Sequence, residues 1–182
     1  MGDGEKHSEK PWTRGGVVIA RALLDRVFDE ARAAYGRDEE SCGFLVGPAS
    51  SPLAITSVVP MENRANKLHK LDPVAFPRTG RMYFDIDPLK FARAIEQGEA
   101  RGEPVKVLYH SHLDVGAYFS DTDAMAAKMG GDAPAYDLAY LVVSVRAGGA
   151  GEGAAPAVDD HKLFVWDHAT AAFVQAPLVL GE

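Results

Sequence analysis

Cysteine is almost missing from this chain: Cys42 is the only one among 182 residues. An intrachain disulfide is therefore impossible, and so is a thiolate-rich structural metal site. No apolar run approaches the roughly 20 residues that a membrane-spanning helix needs. Residues 1–10 are polar and charged with no apolar run behind them, unlike a signal peptide or an anchor. Excess positive charge is absent too, with 19 Lys and Arg against 26 Asp and Glu and a formal net charge of -7. That balance argues against nucleic acid or an anionic membrane as partner, since both demand clustered positive charge. The cytoplasm is the expected compartment.

What is present suits one globular core, with 47% hydrophobic and 25% charged residues. Val17 to Ile19 read as a short strand, and residues 20–35 as an amphipathic helix whose Leu23, Leu24, Val27, Phe28, Ala31 and Ala34 or Tyr35 form one stripe. Further strands are expected at 41–46, 53–59, 82–86, 105–109, 136–145, 160–166 and 172–180. Asp87-Pro88 opens a second helix with a cap followed by proline, and Ser120 opens a third that runs to Gly130. Residues 61–81 lack periodicity and are expected to form a substrate-contacting flap. The pattern predicts a single α/β domain over 14–182, a central mixed β-sheet flanked by helices, with a flexible leader at 1–13 and a Gly/Ala-rich insertion at 147–157.

The chemistry concentrates in residues 108–123. On an extended strand His110 and His112 share a face while Ser111 points away, which is a chelating arrangement. Asp123 supplies a third ligand, and imidazole with carboxylate suits zinc, Zn2+, with one position left open as in a catalytic site. Such a site also needs a proton shuttle and a donor to the developing oxyanion. Glu40, at the start of a probable core strand, is the choice for the shuttle, with Asp38, Glu39 and Asp114 as alternatives. Ser120 is the choice for the donor. Ser120 and Asp123 also match a capping box, and that role competes with metal ligation for the single Asp123 side chain. Cys42 reads as a buried, inert thiol, and His69, His161 and His168 as surface residues. Tyr118 and Phe119 either contact a substrate or pack beneath their loop.

The ordered pattern Glu40-Ser41-Cys42-Gly43, His110-Ser111-His112 and Ser120-x-x-Asp123 resembles the JAMM family of zinc metallopeptidases, also called MPN+ or Mov34/PAD-1. The resemblance covers about residues 18–145. It implies a cytidine-deaminase-like metalloprotease domain in which His110, His112 and Asp123 hold zinc, Glu40 is the general acid/base for a water activated by the metal, and Ser120 polarises the scissile carbonyl. It further implies hydrolysis of the amide bond after the C-terminal glycine of a ubiquitin-like or sulfur-carrier β-grasp protein, whose tail lies along an exposed strand edge. Leu113 stands where the family usually has proline; it removes no catalytic group but implies a different exit from the strand. The alternatives are a zinc hydrolase of small amide or amino-acid adducts and a non-catalytic scaffold or binding module. A homodimer is compatible with this size, with no patch assigned to it.

Overall fold

In the computed structural model of the protein, which describes residues 10–148 and 154–182, the fold grows outward from two apolar strands that are buried along nearly all their length. The elements run β1 (Val17–Ala20), α1 (Arg21–Gly36), β2 (Cys42–Val46), β3 (Ala54–Ile55), β4 (Ser57–Met61), α2 (Ala65–Leu71), α3 (Pro88–Ala100), β5 (Val105–Leu113), α4 (Asp121–Lys128), β6 (Ala139–Arg146), β7 (Ala157–Asp167), β8 (Ala172–Ala176) and β9 (Leu178–Gly181). The larger sheet has the order β4-β2-β5-β6-β7-β8. It is mixed, with β5 and β6 parallel and its other pairs antiparallel. β5 is buried at every position and β6 at all but Arg146, so that even Lys106, His110, Ser111, His112 and Ser144 are withdrawn from solvent.

Side-chain alternation divides the core in two. Val107 and Tyr109 of β5 pack with Leu24, Val27, Phe28 and Ala31 of α1. Each of those large α1 side chains contributes on the order of 1.5–3 kcal/mol by leaving water. Leu108 faces the other way, with Phe44, Tyr140 and Val142, under Phe91 and Ile95 of α3 and Ala127 of α4. The same alternation carries His110 and His112 to the α3/α4 side.

Several expectations are corrected. The strand expected at 53–59 breaks at Thr56: β3 pairs with β1, whereas β4 pairs with β2. The strand expected at 172–180 breaks at Pro177, which has no N–H for a ladder, and β9 leaves to pair with β1. A small parallel sheet, β3-β1-β9, therefore accompanies the central one. Residues 61–81 contain α2, and residues 82–86 join no ladder, with a bend at Met82. β7 begins at Ala157, inside the expected insertion, of which residues 149–153 lie outside the described residues.

Part of the expected leader is structured. Residues 1–9 lie outside the described residues, but Pro11–Arg14 form a 3-10 turn that buries Trp12. Its indole Nε1 donates to the Asp137 carbonyl at 2.7 Å. Among the described residues no helix is long and apolar enough to cross a membrane.

Candidate metal centre

β5 continues through Leu113, so both histidines belong to a strand clamped between β2 and β6. Their Nε2 atoms lie 3.2 Å apart. Asp123, on the first turn of α4, completes a triangle: Oδ1 is 3.3 Å from His110 Nε2 and Oδ2 is 3.4 Å from His112 Nε2. With zinc–ligand bonds of about 2.0–2.1 Å, the donors of a tetrahedral site stand roughly 3.3–3.4 Å apart. The three residues fit zinc in donor type, and one donor atom from each lies within 4.8 Å of the others, close enough to meet on one ion. All three are buried, which makes the ring of donors costly to leave without a common partner.

The atoms behind the donors orient them. His112 Nδ1 lies 2.9 Å from the Gly116 carbonyl. A carbonyl only accepts, so Nδ1 carries the hydrogen and Nε2 presents its lone pair to the triangle. Gly116 has φ 96°, a conformation that only glycine adopts without strain. His110 is held differently: its ring stacks on Phe84 at 4.7 Å and 27°, and its buried Nδ1 has no hydrogen-bond partner among the described residues.

The capping role expected at Ser120 and Asp123 is filled. Ser120 Oγ accepts from the Asp123 N–H at 3.1 Å, and the Ser120 N–H donates to Asp123 Oδ2 at 2.8 Å, a complete capping box. The same carboxylate still faces both imidazoles, because its two oxygens diverge. Burial alone would raise its pKa, but the adjoining His110 and His112 and the hydrogen bond with Ser120 hold it far below the usual carboxylate range. The cap aims the ligand.

Glu40 owes its position to strand register. β2 runs antiparallel to β5 with Cys42 opposite His110, so continuing the alignment two residues sets Glu40 against His112 on the same face. The alignment does continue: the Ser111 N–H donates to the Ser41 carbonyl at 3.0 Å, and the Ser41 N–H to Ser111 Oγ at 2.8 Å. Glu40 shares a cavity of about 410 Å³ with His112, Ser120 and Asp123. Burial, and secondly the negative charge of Asp123, push its pKa well above the ordinary glutamate value. The alternatives are engaged elsewhere. Glu39 pairs with Arg37, Asp38 pairs with Arg81, and Asp114 accepts from Tyr35 and Arg81 at 2.9 Å.

Sequence reading missed the residues that hold the facing wall. Asn63 is buried and uses its whole amide: Nδ2 donates to the Glu40 and Tyr83 carbonyls, and Oδ1 accepts from the Ala65 and Asp85 N–H groups, all at 2.9–3.0 Å. Gly80 accepts the Glu40 N–H at 2.6 Å, and a Cβ there would sit 2.9 Å from both Glu39 and Asn66. Only the asparagine and glycine within an otherwise featureless run hinted at this. Of the two loop aromatics, Tyr118 is half exposed at the cavity mouth, edge-on to His112 at 5.0 Å. Phe119 packs beneath, against Phe173 at 4.3 Å. Leu113 completes the strand and is buried. Cys42 is buried, its thiol pushed far up by burial. His168 is exposed and His69 half-buried, its Nδ1 2.8 Å from the Phe76 carbonyl, and both lie outside the site; His161 is half-buried edge-on to Phe28 rather than on the surface.

Comparison with known proteins adds to this geometry. The profile of the family described as prokaryotic homologs of the JAB domain matches residues 20–156. A solution structure of a Desulfitobacterium hafniense protein, 20% identical, superposes with a TM-score of 0.56 and covers 91% of this chain and 93% of its own. One from Salinibacter ruber, 24% identical, gives 0.55 and covers 91% and 92%. These two show a shared fold. No curated protein matches the chain.

Proposed function

The chain belongs to the family of prokaryotic homologs of the JAB domain, and from that premise we propose that it is a cytoplasmic zinc metallopeptidase that hydrolyses an amide bond. The observation that carries this reading is the cluster of His110, His112 and Asp123, whose donor atoms lie within 4.8 Å of one another, with His112 and Asp123 in the wall of a cavity that also holds Glu40. Zinc, when bound, supplies a Lewis acid that acidifies water and polarises a carbonyl. Glu40 accepts the proton of the attacking water and delivers it to the leaving amine. Its raised pKa suits both halves of that task near neutral pH. Among the described residues no hydrogen bond or ion pair ties down its carboxylate, so it is free to move a proton. The Ser120 hydroxyl accepts from the Asp123 N–H and still has its own hydrogen to give to the substrate carbonyl oxygen.

The substrate is read as the extended C-terminal tail of a ubiquitin-like or sulfur-carrier β-grasp protein, cut after its terminal glycine. Residues 82–86 support this. The Tyr83 carbonyl and the Asp85 N–H are taken by Asn63, and the Asp85 carbonyl by the Arg64 N–H. With these groups held on the Asn63 side, a tail pairing along the other side would meet the N–H and carbonyl of Phe84. The test is cleavage of a β-grasp protein joined through its terminal glycine to a reporter. Zinc-loaded parent protein is expected to release the reporter, and Glu40→Gln to lose about 10²–10⁴-fold in rate while keeping its zinc. Full activity in that variant would overturn the role of Glu40; no release by the parent would overturn the substrate.

A further inference from the structure

The donor triangle has a second side. The cavity shared by Glu40 and Ser120 opens on His112, but another, of about 200 Å³, opens on His110. Asp123 lines both. Apart from His110, Asp123 and Asp85, the walls of the second cavity are apolar or aromatic, built chiefly by Phe84, Phe91, Phe119 and Tyr136. Phe91 and Tyr136 stack at 4.8 Å and 21° and Phe84 stacks on His110, so flat ring faces are presented. An apolar cavity of roughly 150 Å³ is enough to take a benzene ring. Residues 82–86 run past both cavities, with Met82 lining the first and Phe84 the second. A peptide paired alongside Phe84 therefore crosses the triangle and reaches the second cavity with its next residue.

Resting on the amide-hydrolase reading above, we propose that this cavity is a specificity pocket for one large apolar or aromatic side chain beside the scissile bond. The residue on the acyl side is the terminal glycine, which has no side chain, so the pocket belongs to the residue that leaves as the amine. The preferred bond is then Gly-Phe, Gly-Tyr or Gly-Leu rather than Gly-Gly. The chemistry that recognises it is apolar burial and ring stacking, with no charged group required of the substrate.

The experiment uses the zinc-loaded full chain and a β-grasp protein whose terminal glycine is followed by Gly, Lys, Leu or Phe. In the parent, Phe and Leu are expected to exceed Gly by about 10- to 100-fold in kcat/KM. Ala126 lines the pocket from an exposed position on α4, so Ala126→Trp fills the space without entering the core. It is expected to bring the four substrates within about threefold of one another while turnover of the Gly substrate is kept. If Ala126→Trp does not fold, Ala126→Leu is read in its place. A flat profile in the parent, or an unchanged preference in the filled variant, overturns the proposal. A binding measurement separates this from failure of the hydrolase reading: phenylalaninamide, titrated into the metal-free protein, is expected to shift the ring resonances of Phe119 and Tyr136 in the parent and not in Ala126→Trp. Those shifts support the pocket even if nothing is cleaved, and their absence from the parent overturns it.

Discussion

β5 reaches the site with β2 hydrogen-bonded on one side and β6 on the other, buried along its whole length. Residues 62–87 reach the same site as a seven-residue helix and an irregular run that joins no ladder. The first stretch is positioned by backbone pairing, which shifts only if the whole sheet shifts. The second is positioned by a few side chains: the Asn63 amide, the Arg64 pairs with Asp85 and Asp87, and the Arg81 bridge to Asp38 and Asp114. Metal ligands require the first kind of support. On the proposed reading, a wall that accepts a peptide and releases product is served by the second, because it can yield without disturbing the ligands.

Breaking each stretch separately sharpens the contrast. The largest stability loss is expected from Asn63→Ala, which strips partners from two carbonyls and two N–H groups. A loss of about 1–3 kcal/mol is expected in urea unfolding, with turnover reduced and zinc affinity close to that of the parent. Gly116→Val attacks the other stretch, by disfavouring the φ of 96° that presents a carbonyl to His112. Zinc affinity, measured by competition with a chelator, is expected to fall about 10- to 100-fold. A variant that bound zinc as tightly as the parent would show that the carbonyl does not orient His112.

Glu40→Gln tests the cost of holding a carboxylate in this cavity. The pKa of Glu40 is raised in the folded state, so between the unfolded and folded values the native protein binds more protons. Stability therefore falls as pH rises through that window, and the full penalty remains above it. Metal-free Glu40→Gln is expected to melt higher than the parent at pH 7, with the gap closing towards pH 4. Equal melting temperatures at both pH values would contradict the burial argument. The smallest effect is expected from Arg81→Ala, because its ion pairs are half-exposed and worth at most about 1 kcal/mol. Its melting temperature should barely move.

The parts of this molecule that were legible in the sequence are those set by local spacing. The His-x-His alternation, the Ser-x-x-Asp cap and the α1 stripe each lie within one element, and each is found where its spacing put it. Glu40 was chosen from its place at a strand start but not fixed by local spacing, since its place over His112 depends on a β2–β5 register spanning some 70 residues. The two sheets were not legible, because β3 and β4 are continuous in sequence and separate only through partners far away. α2 has a single buried residue, Ala65, so it carries no apolar stripe to read. The roles of Asn63 and Phe84 come from tertiary contacts that no periodicity announces.

The most direct test of the account is a zinc titration of the metal-free protein by calorimetry, alongside His112→Ala. One tight site per chain is expected in the parent and none in the variant. A parent that takes up no stoichiometric zinc, or a His112→Ala protein that binds it as the parent does, would contradict the assignment of the triangle as a metal centre.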